Sequence, residues 1–129
     1  WVQSTEAYKG KLIVYSMGNF MFDQNWNPEL MRSAAIHTRV TINEGSLAEW
    51  LALGETCRAY HDDCLETAES KGLSRLSPSY QFDAVITQTD RRALTGLAEP
   101  SVEQSVRDRL GWDRTMSALD APYGLLQTR

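Results

Sequence analysis

The stretch whose reading decides the fold is YKGKLIVYSMGNFMFDQNW, Tyr8–Trp26. Leu12-Ile13-Val14-Tyr15 is a continuous apolar run, the pattern of a strand covered on both faces in a layered α/β core. Ahead of it, Gln3–Tyr8, Lys9-Gly10 and Lys11–Ser16 read as a β-hairpin, with Gly10 as the turn residue tolerant of positive φ. Behind it, Ser16-Met17-Gly18-Asn19 reads as a polar turn. Gly18 permits a sharp reversal at the strand's end, and the Asn19 amide suits a bond to its own turn or to a ligand. Phe20-Met21-Phe22 is a hydrophobic anchor, and the Asp23 carboxylate and Gln24 amide follow it. Two readings stand open on this pattern. One is a site at a strand end, where α/β sheets collect their sites. The other is a structural loop with Phe20 and Phe22 as core plugs.

Outward from this stretch, Asn25–Arg32 carries Asn-Pro and reads as a loop. Ala34, Ile36, Thr38, Val40 and Ile42 then alternate with Ala35, His37, Arg39 and Thr41, which predicts a half-exposed strand. Asn43-Glu44-Gly45-Ser46 reads as a turn and Leu47–Leu53 as a returning strand, a second hairpin. From Thr56 to Lys71 the period becomes helical. Cys57, Tyr60, Cys64, Leu65 and Ala68 form one stripe, Arg58, Asp62, Asp63, Glu66 and Glu69 face water, and Gly72 is the stop. A strand follows around Phe82–Ile86. Ser101-Val102-Glu103-Gln104 has the form of a capping box for a helix with Val102, Val106 and Leu110 inward, ended by Gly111. Asp113 opens a short helix with Met116 and Leu119 inward, and Pro122 is expected to close the ordered part. The prediction is an α/β chain: two β-hairpins, then helix, strand and helix, divided into 1–54 and a helical and α/β tail, 55–129, packed on it.

The chain has 129 residues and is 42% hydrophobic, one domain's worth of core at most. Its net charge of -4 gives no basic footprint for nucleic acid or anionic lipid. No run approaches the roughly 18 apolar residues of a membrane span. Cys57 and Cys64 lie in a segment predicted as one helix, which would hold their Cα atoms roughly 10 Å apart, beyond disulfide reach. Two buried thiols are therefore expected.

No self-contained catalytic motif is present: no Gly-rich phosphate loop, His-Glu-x-x-His, Cys-x-x-Cys or Gly-x-Ser-x-Gly. His61-Asp62-Asp63 does not read as a metal site, because consecutive helical residues splay apart; it reads as a solvated face. His37 reads as a surface residue. Trp1, Trp26, Trp50 and Trp112 are scattered, which favours packing over a ligand platform.

Tyr8–Gln24 closely resembles the closing signature of the CapA family, bacterial proteins of capsule or poly-γ-glutamate biosynthesis, whose usual form is Y-x-G-K-x-I-x-Y-S-L-G-N-F-x-F-D-Q. Met17 in place of Leu is the main departure. The resemblance covers Val2–Gln24; a weaker one extends to His61–Leu65 and Tyr80–Val85. It implies a layered α/β sandwich of the calcineurin-like metallophosphoesterase type with a divalent metal centre. In the family the ligands come from earlier Asp, Asn/Glu and Asn-His motifs and from a Gly-His-x-Pro-His segment just before the residues that Trp1-Val2-Gln3 resemble. The chain, which opens on Trp1 rather than Met, is thus expected to be the C-terminal part of such a domain, with the missing N-terminal part as partner. No metal ligand is assigned in this chain, and no stoichiometric metal is expected in isolation. Tyr15, Ser16, Gly18, Asn19, Asp23 and Gln24 match the signature and are expected near the cleft, where they orient ligands or face substrate. The full domain is expected to be a metal-dependent hydrolase-like module or, alternatively, a non-catalytic polymer-binding or assembly and export component. Poly-γ-glutamate or capsule machinery is the implied partner, and family habit implies the cell envelope. Exposed hairpin edges and a half-covered sheet favour association.

Overall fold

Lys9 and Gly10 both take positive φ, 49° and 72°, which makes the two-residue turn of a tight hairpin. It joins β1 (Thr5–Tyr8) to β2 (Lys11–Val14) in antiparallel register, Thr5 opposite Val14 and Tyr8 opposite Lys11. The computed structural model describes residues 1–20, 24, 26–42, 47–59, 61–74 and 76–126, His61 by its backbone alone. Leu12, Ile13 and Val14 are half-buried rather than covered on both faces, and Tyr15 is exposed.

The chain divides into two compact units: Trp1–Arg39 with Tyr80–Arg129, and Val40–Ser79.

In the first unit the hairpin continues through a Val2–Met17 bridge and then a Gly18–Ser33 bridge to β3 (Arg32–Thr41). Ala34 N–H donates to the Met17 carbonyl at 2.8 Å. β3 lies beside β4 (Ser79–Thr89) in a four-stranded sheet of order β3-β4-β5, with β5 (Thr95–Leu97) antiparallel to β4 and β6 (Tyr123–Leu125) parallel to it. Helices α4 (Pro100–Leu110) and α5 (Trp112–Ser117) supply the other wall. The core joins Val2, Ala34, Ala84, Ile86, Val106, Leu110, Trp112 and Met116, with Leu12, Ile36, Phe82, Val102 and Leu119 packed against it. Leu110 and Trp112 are fully buried, and each such side chain contributes about 2–3 kcal/mol by leaving water. Mixed α/β content is therefore as predicted, and so are the inward faces of α4 and α5.

Polar groups fix how these layers meet. Thr5 Oγ1, buried, donates to the Leu110 carbonyl at 2.9 Å and lies 2.9 Å from Thr115 Oγ1. It thereby satisfies one of the carbonyls that a helix end leaves without an intrahelical partner. Arg107 on α4 donates from Nη2 to the Ala84 carbonyl at 2.6 Å and from Nε to Glu103 Oε1 at 3.0 Å. Ser33 and Thr87 hydroxyls pair at 2.6 Å inside the sheet.

Several expectations are corrected. The capping box does not form: Glu99 is the N-cap, without a side-chain bond, and Pro100 takes the first turn. Proline's fixed φ and missing N–H suit that position. The chain does not lose order at Pro122, since Tyr123–Leu125 pairs with Tyr80–Phe82 and Tyr123 stacks on Tyr80 at 5.3 Å. Within the expected loop, Pro28–Met31 is a 3₁₀ turn capped by Asn27 Oδ1, which accepts from Glu29 N–H at 2.9 Å. The β3 alternation holds through Ala34 and Ile36, whereas Thr38 and Val40 are exposed.

In the second unit the expected strand Leu47–Leu53 is instead helix α1 (Leu47–Ala52). Leu, Ala and Glu are strong helix formers, and Leu47, Trp50 and Leu51 have the i, i+3, i+4 spacing of a helical face. The second hairpin is therefore not formed; its turn, 43–46, lies outside the described residues. The single helix predicted over Thr56–Lys71 is two, α2 (Gly54–Ala59) and α3 (His61–Ser70). Tyr60, between them, lies outside the described residues. Cys64 and Ala68 are buried, and Asp62, Asp63, Glu66 and Glu69 exposed, as the α3 stripe requires. Gly72, at φ 65°, ends α3 as predicted. Its N–H bonds the Glu69 carbonyl and Leu73 N–H the Ala68 carbonyl, the paired bonds of a left-handed helix stop. Cys57 and Cys64 are disulfide-bonded, with Cα atoms 4.7 Å apart, not two free thiols. The predicted separation assumed unbroken helix; with α2 and α3 separate, that spacing does not apply.

Gly18, at φ 79°, is the glycine of the first unit whose nearest neighbour is backbone rather than a side chain. A Cβ there would stand 2.6 Å from the Arg32 carbonyl oxygen and 3.2 Å from Ser33 Cα. Gly18→Ala is expected to destabilise the unit by about 2–4 kcal/mol, left-handed strain plus a backbone clash. Gly111→Ala, also at positive φ but meeting only the end of the Arg114 side chain, is expected to cost about 1–2 kcal/mol. Urea unfolding of the two variants measures the difference, and equal losses would contradict the close-approach argument.

Candidate functional site

The turn predicted from sequence is present, and its backbone is held from both sides. Gln3 N–H donates to the Ser16 carbonyl at 3.0 Å. Ser16 Oγ donates to the Trp1 carbonyl at 3.1 Å and accepts from Gly18 N–H at 3.3 Å. A hydroxyl that bonds its own turn in this way stabilises the reversal that Gly18's positive φ allows. Beyond Gly18, Asn19 Nδ2 donates to Gln24 Oε1 at 2.7 Å, so these two predicted residues are brought together, both half-buried. Between them in sequence, Met21, Phe22 and Asp23 lie outside the described residues. Phe20 is exposed, which contradicts its reading as a core plug.

Tyr15 does not join this cluster. Its hydroxyl donates to the Glu6 carboxylate on β1, and no described hydrogen bond links it to Ser16, Asn19 or Gln24. The hydrogen bond to Glu6, and then that carboxylate's charge, raise the Tyr15 pKa above its ordinary value, because a deprotonated phenol would face an anion.

Next to the turn is a feature with no signature in the sequence. Trp1, Val2, Gln3 and Ser4 line an open groove of about 630 Å³, with Asn27, Glu29 and Arg109 across it. Glu29 pairs with Arg32 at 2.6 Å and also with Arg109, so one carboxylate bridges two guanidinium groups. Glu29 and Arg109 are 80 residues apart in sequence, and no local spacing rule connects them. Trp1 and Trp26 are exposed and Trp112 is core, so packing accounts for only part of the tryptophan set.

Amides, hydroxyls and paired charges of this kind bind and orient polar groups. Among the described residues no three His, Cys, Asp or Glu side chains converge as metal ligands. His37 is exposed, as expected; the His61 side chain and Asp23 lie outside the described residues. No helix among the described residues is long and apolar enough to cross a membrane. No protein-family model, curated protein or solved structure matches this chain.

The Glu6–Tyr15 pair gives a pH-dependent test. Because the folded-state pKa is raised, its contribution to stability is present below the unfolded tyrosine pKa and is lost as pH rises through the folded value. In an alkaline titration followed by tyrosinate absorbance, Glu6→Gln is expected to shift one tyrosine ionisation to lower pH. An unchanged curve would remove the pair as the cause.

Proposed function

We propose that the chain is the C-terminal part of a CapA-like protein of capsule or poly-γ-glutamate biosynthesis, whose full domain is a metal-dependent hydrolase-like module. The observation that carries this reading is the Tyr8–Gln24 stretch. Its sequence resembles the family signature, and it folds as a strand running into a Gly18 turn with Asn19 and Gln24 joined. Fixed amides at a strand's end suit a role in orienting metal ligands or in facing substrate, as partners of ligating groups do. In such a module a divalent metal, held by groups other than those described in this chain, would supply Lewis-acid activation of water. The residues of this chain would contribute orientation, with Ser16 and Gly18 holding the turn and Asn19 and Gln24 presenting amide groups. The substrate class is a phosphoester or an amide such as a γ-glutamyl link. Asp23 belongs to the same signature.

A second reading, a non-catalytic polymer-binding or assembly component, draws on the open groove beside the turn, where Val2 and the exposed Trp1 stand beside the polar groups of Gln3, Asn27, Glu29 and Arg109 and suit an extended chain. The coding DNA upstream of the Trp1 codon discriminates. The proposal expects Gly-His-x-Pro-His there, with Asp and Asn-His motifs further up. The protein carrying them is expected to hydrolyse poly-γ-glutamate or a phosphoester with added Mn²⁺, and Asn19→Ala to lower that rate about 10–100-fold. Polymer retention without hydrolysis would favour the second reading. A start codon or unrelated linker upstream would contradict the metal-dependent module.

A further inference from the structure

Among the described residues the unit Val40–Ser79 combines short helices and few buried side chains with one disulfide. Its helices α1, α2 and α3 have 6, 6 and 10 residues, shorter than the roughly 12–15 residues that an isolated helix needs to persist in water. Among the described residues its buried side chains are Leu53, Cys64 and Ala68. The Arg58–Glu55 pair is exposed on both sides and such pairs contribute little. Trp50 Nε1 donates to the Ser74 carbonyl at 2.9 Å, itself at the surface. A segment of this size lies near the limit, about 40 residues, below which a cross-link is usually needed for order. Here Cys57 and Cys64 supply it, joining α2 to α3, and no cysteine is left free.

We propose that the Cys57–Cys64 disulfide is a redox lock on this unit. Closed, it holds α2 against α3; opened by a dithiol reductant, it releases them, while the unit built on β1–β6, α4 and α5 stays folded. Cys57 is half-buried and Cys64 is 6% exposed. Access therefore directs the attacking thiolate to the Cys57 sulfur, expelling the Cys64 thiolate. The second thiol of the reductant then displaces Cys57 and leaves as its own disulfide. Two electrons and two protons pass from the dithiol to the two cysteines, and the reductant is oxidised. The device depends on locality: the bond closes a short loop within one unit, and the core of the other unit contains neither cysteine.

Hydrogen exchange of the whole chain, read peptide by peptide with and without excess dithiothreitol, tests the lock. Alkylation after reduction is expected to label two thiols. Amides of α2 and α3 are then expected to exchange on the order of 50-fold faster, the scale of the loop-closure restriction removed, with β1, β2 and α4 unchanged. Reoxidation is expected to restore protection, and Cys57→Ser/Cys64→Ser to match the reduced chain. Three results would overturn the proposal: a bond that resists the dithiol, two free thiols with α2 and α3 still protected, or protection lost throughout the chain.

Discussion

The first unit depends on the close approach of two backbones at Gly18. There the hairpin stops pairing with itself and meets β3, and there is no room for a side chain between Gly18 and the Arg32–Ser33 backbone. Further contacts gather at this approach. Ala34 N–H reaches Met17, Val2 is drawn into the core, and Ser33 is buried against Thr87. A residue with a Cβ would push the hairpin off the sheet, and the polar turn that presents Asn19 would go with it. The hairpin is also tied at a second point, where Thr5 bonds the end of α4. These ties come from chemistry of opposite kinds, an absent side chain at Gly18 and a buried hydroxyl at Thr5, and a further one joins the Gly10 carbonyl to Asp120 N–H at 3.1 Å.

Much of this unit was legible in the sequence because its signals are local. Lys9-Gly10 between two strand-like runs specified the first hairpin, the 3.6-residue spacing of Val102, Val106 and Leu110 specified α4, and Gly111 its end. The turn at Gly18 and the pairing potential of Asn19 were also legible, although the sequence could not say that Asn19 would find Gln24. What was not legible was long-range. The Glu29 bridge to Arg32 and Arg109, and the grip of Arg107 on the Ala84 carbonyl, join distant segments whose proximity only the fold creates. β6 is similar: Tyr123-Gly124-Leu125 is too short to announce a strand and becomes one because β4 offers a free backbone row.

The second unit shows the complementary failure. The turn signal ahead of Leu47–Leu53 suggests a returning strand, yet its Leu, Ala and Glu content favours helix, and local propensity prevails. One continuous stripe over Thr56–Lys71 hid a break, and the break is what allows the disulfide that the unbroken spacing excluded. A helical periodicity fixes which face a residue occupies within a helix; it does not establish that the helix is unbroken.

The central claim is that the hairpin and the sheet are one structure joined at Gly18. The amide of Ala34, which donates across that junction to Met17, measures it directly by hydrogen exchange in native conditions. The account predicts that this amide exchanges only through opening of the whole first unit, at the same free energy as amides in the middle of α4. Exchange of Ala34 at the rate of a fraying strand end, with α4 still protected, would mean that the hairpin moves independently and would contradict it.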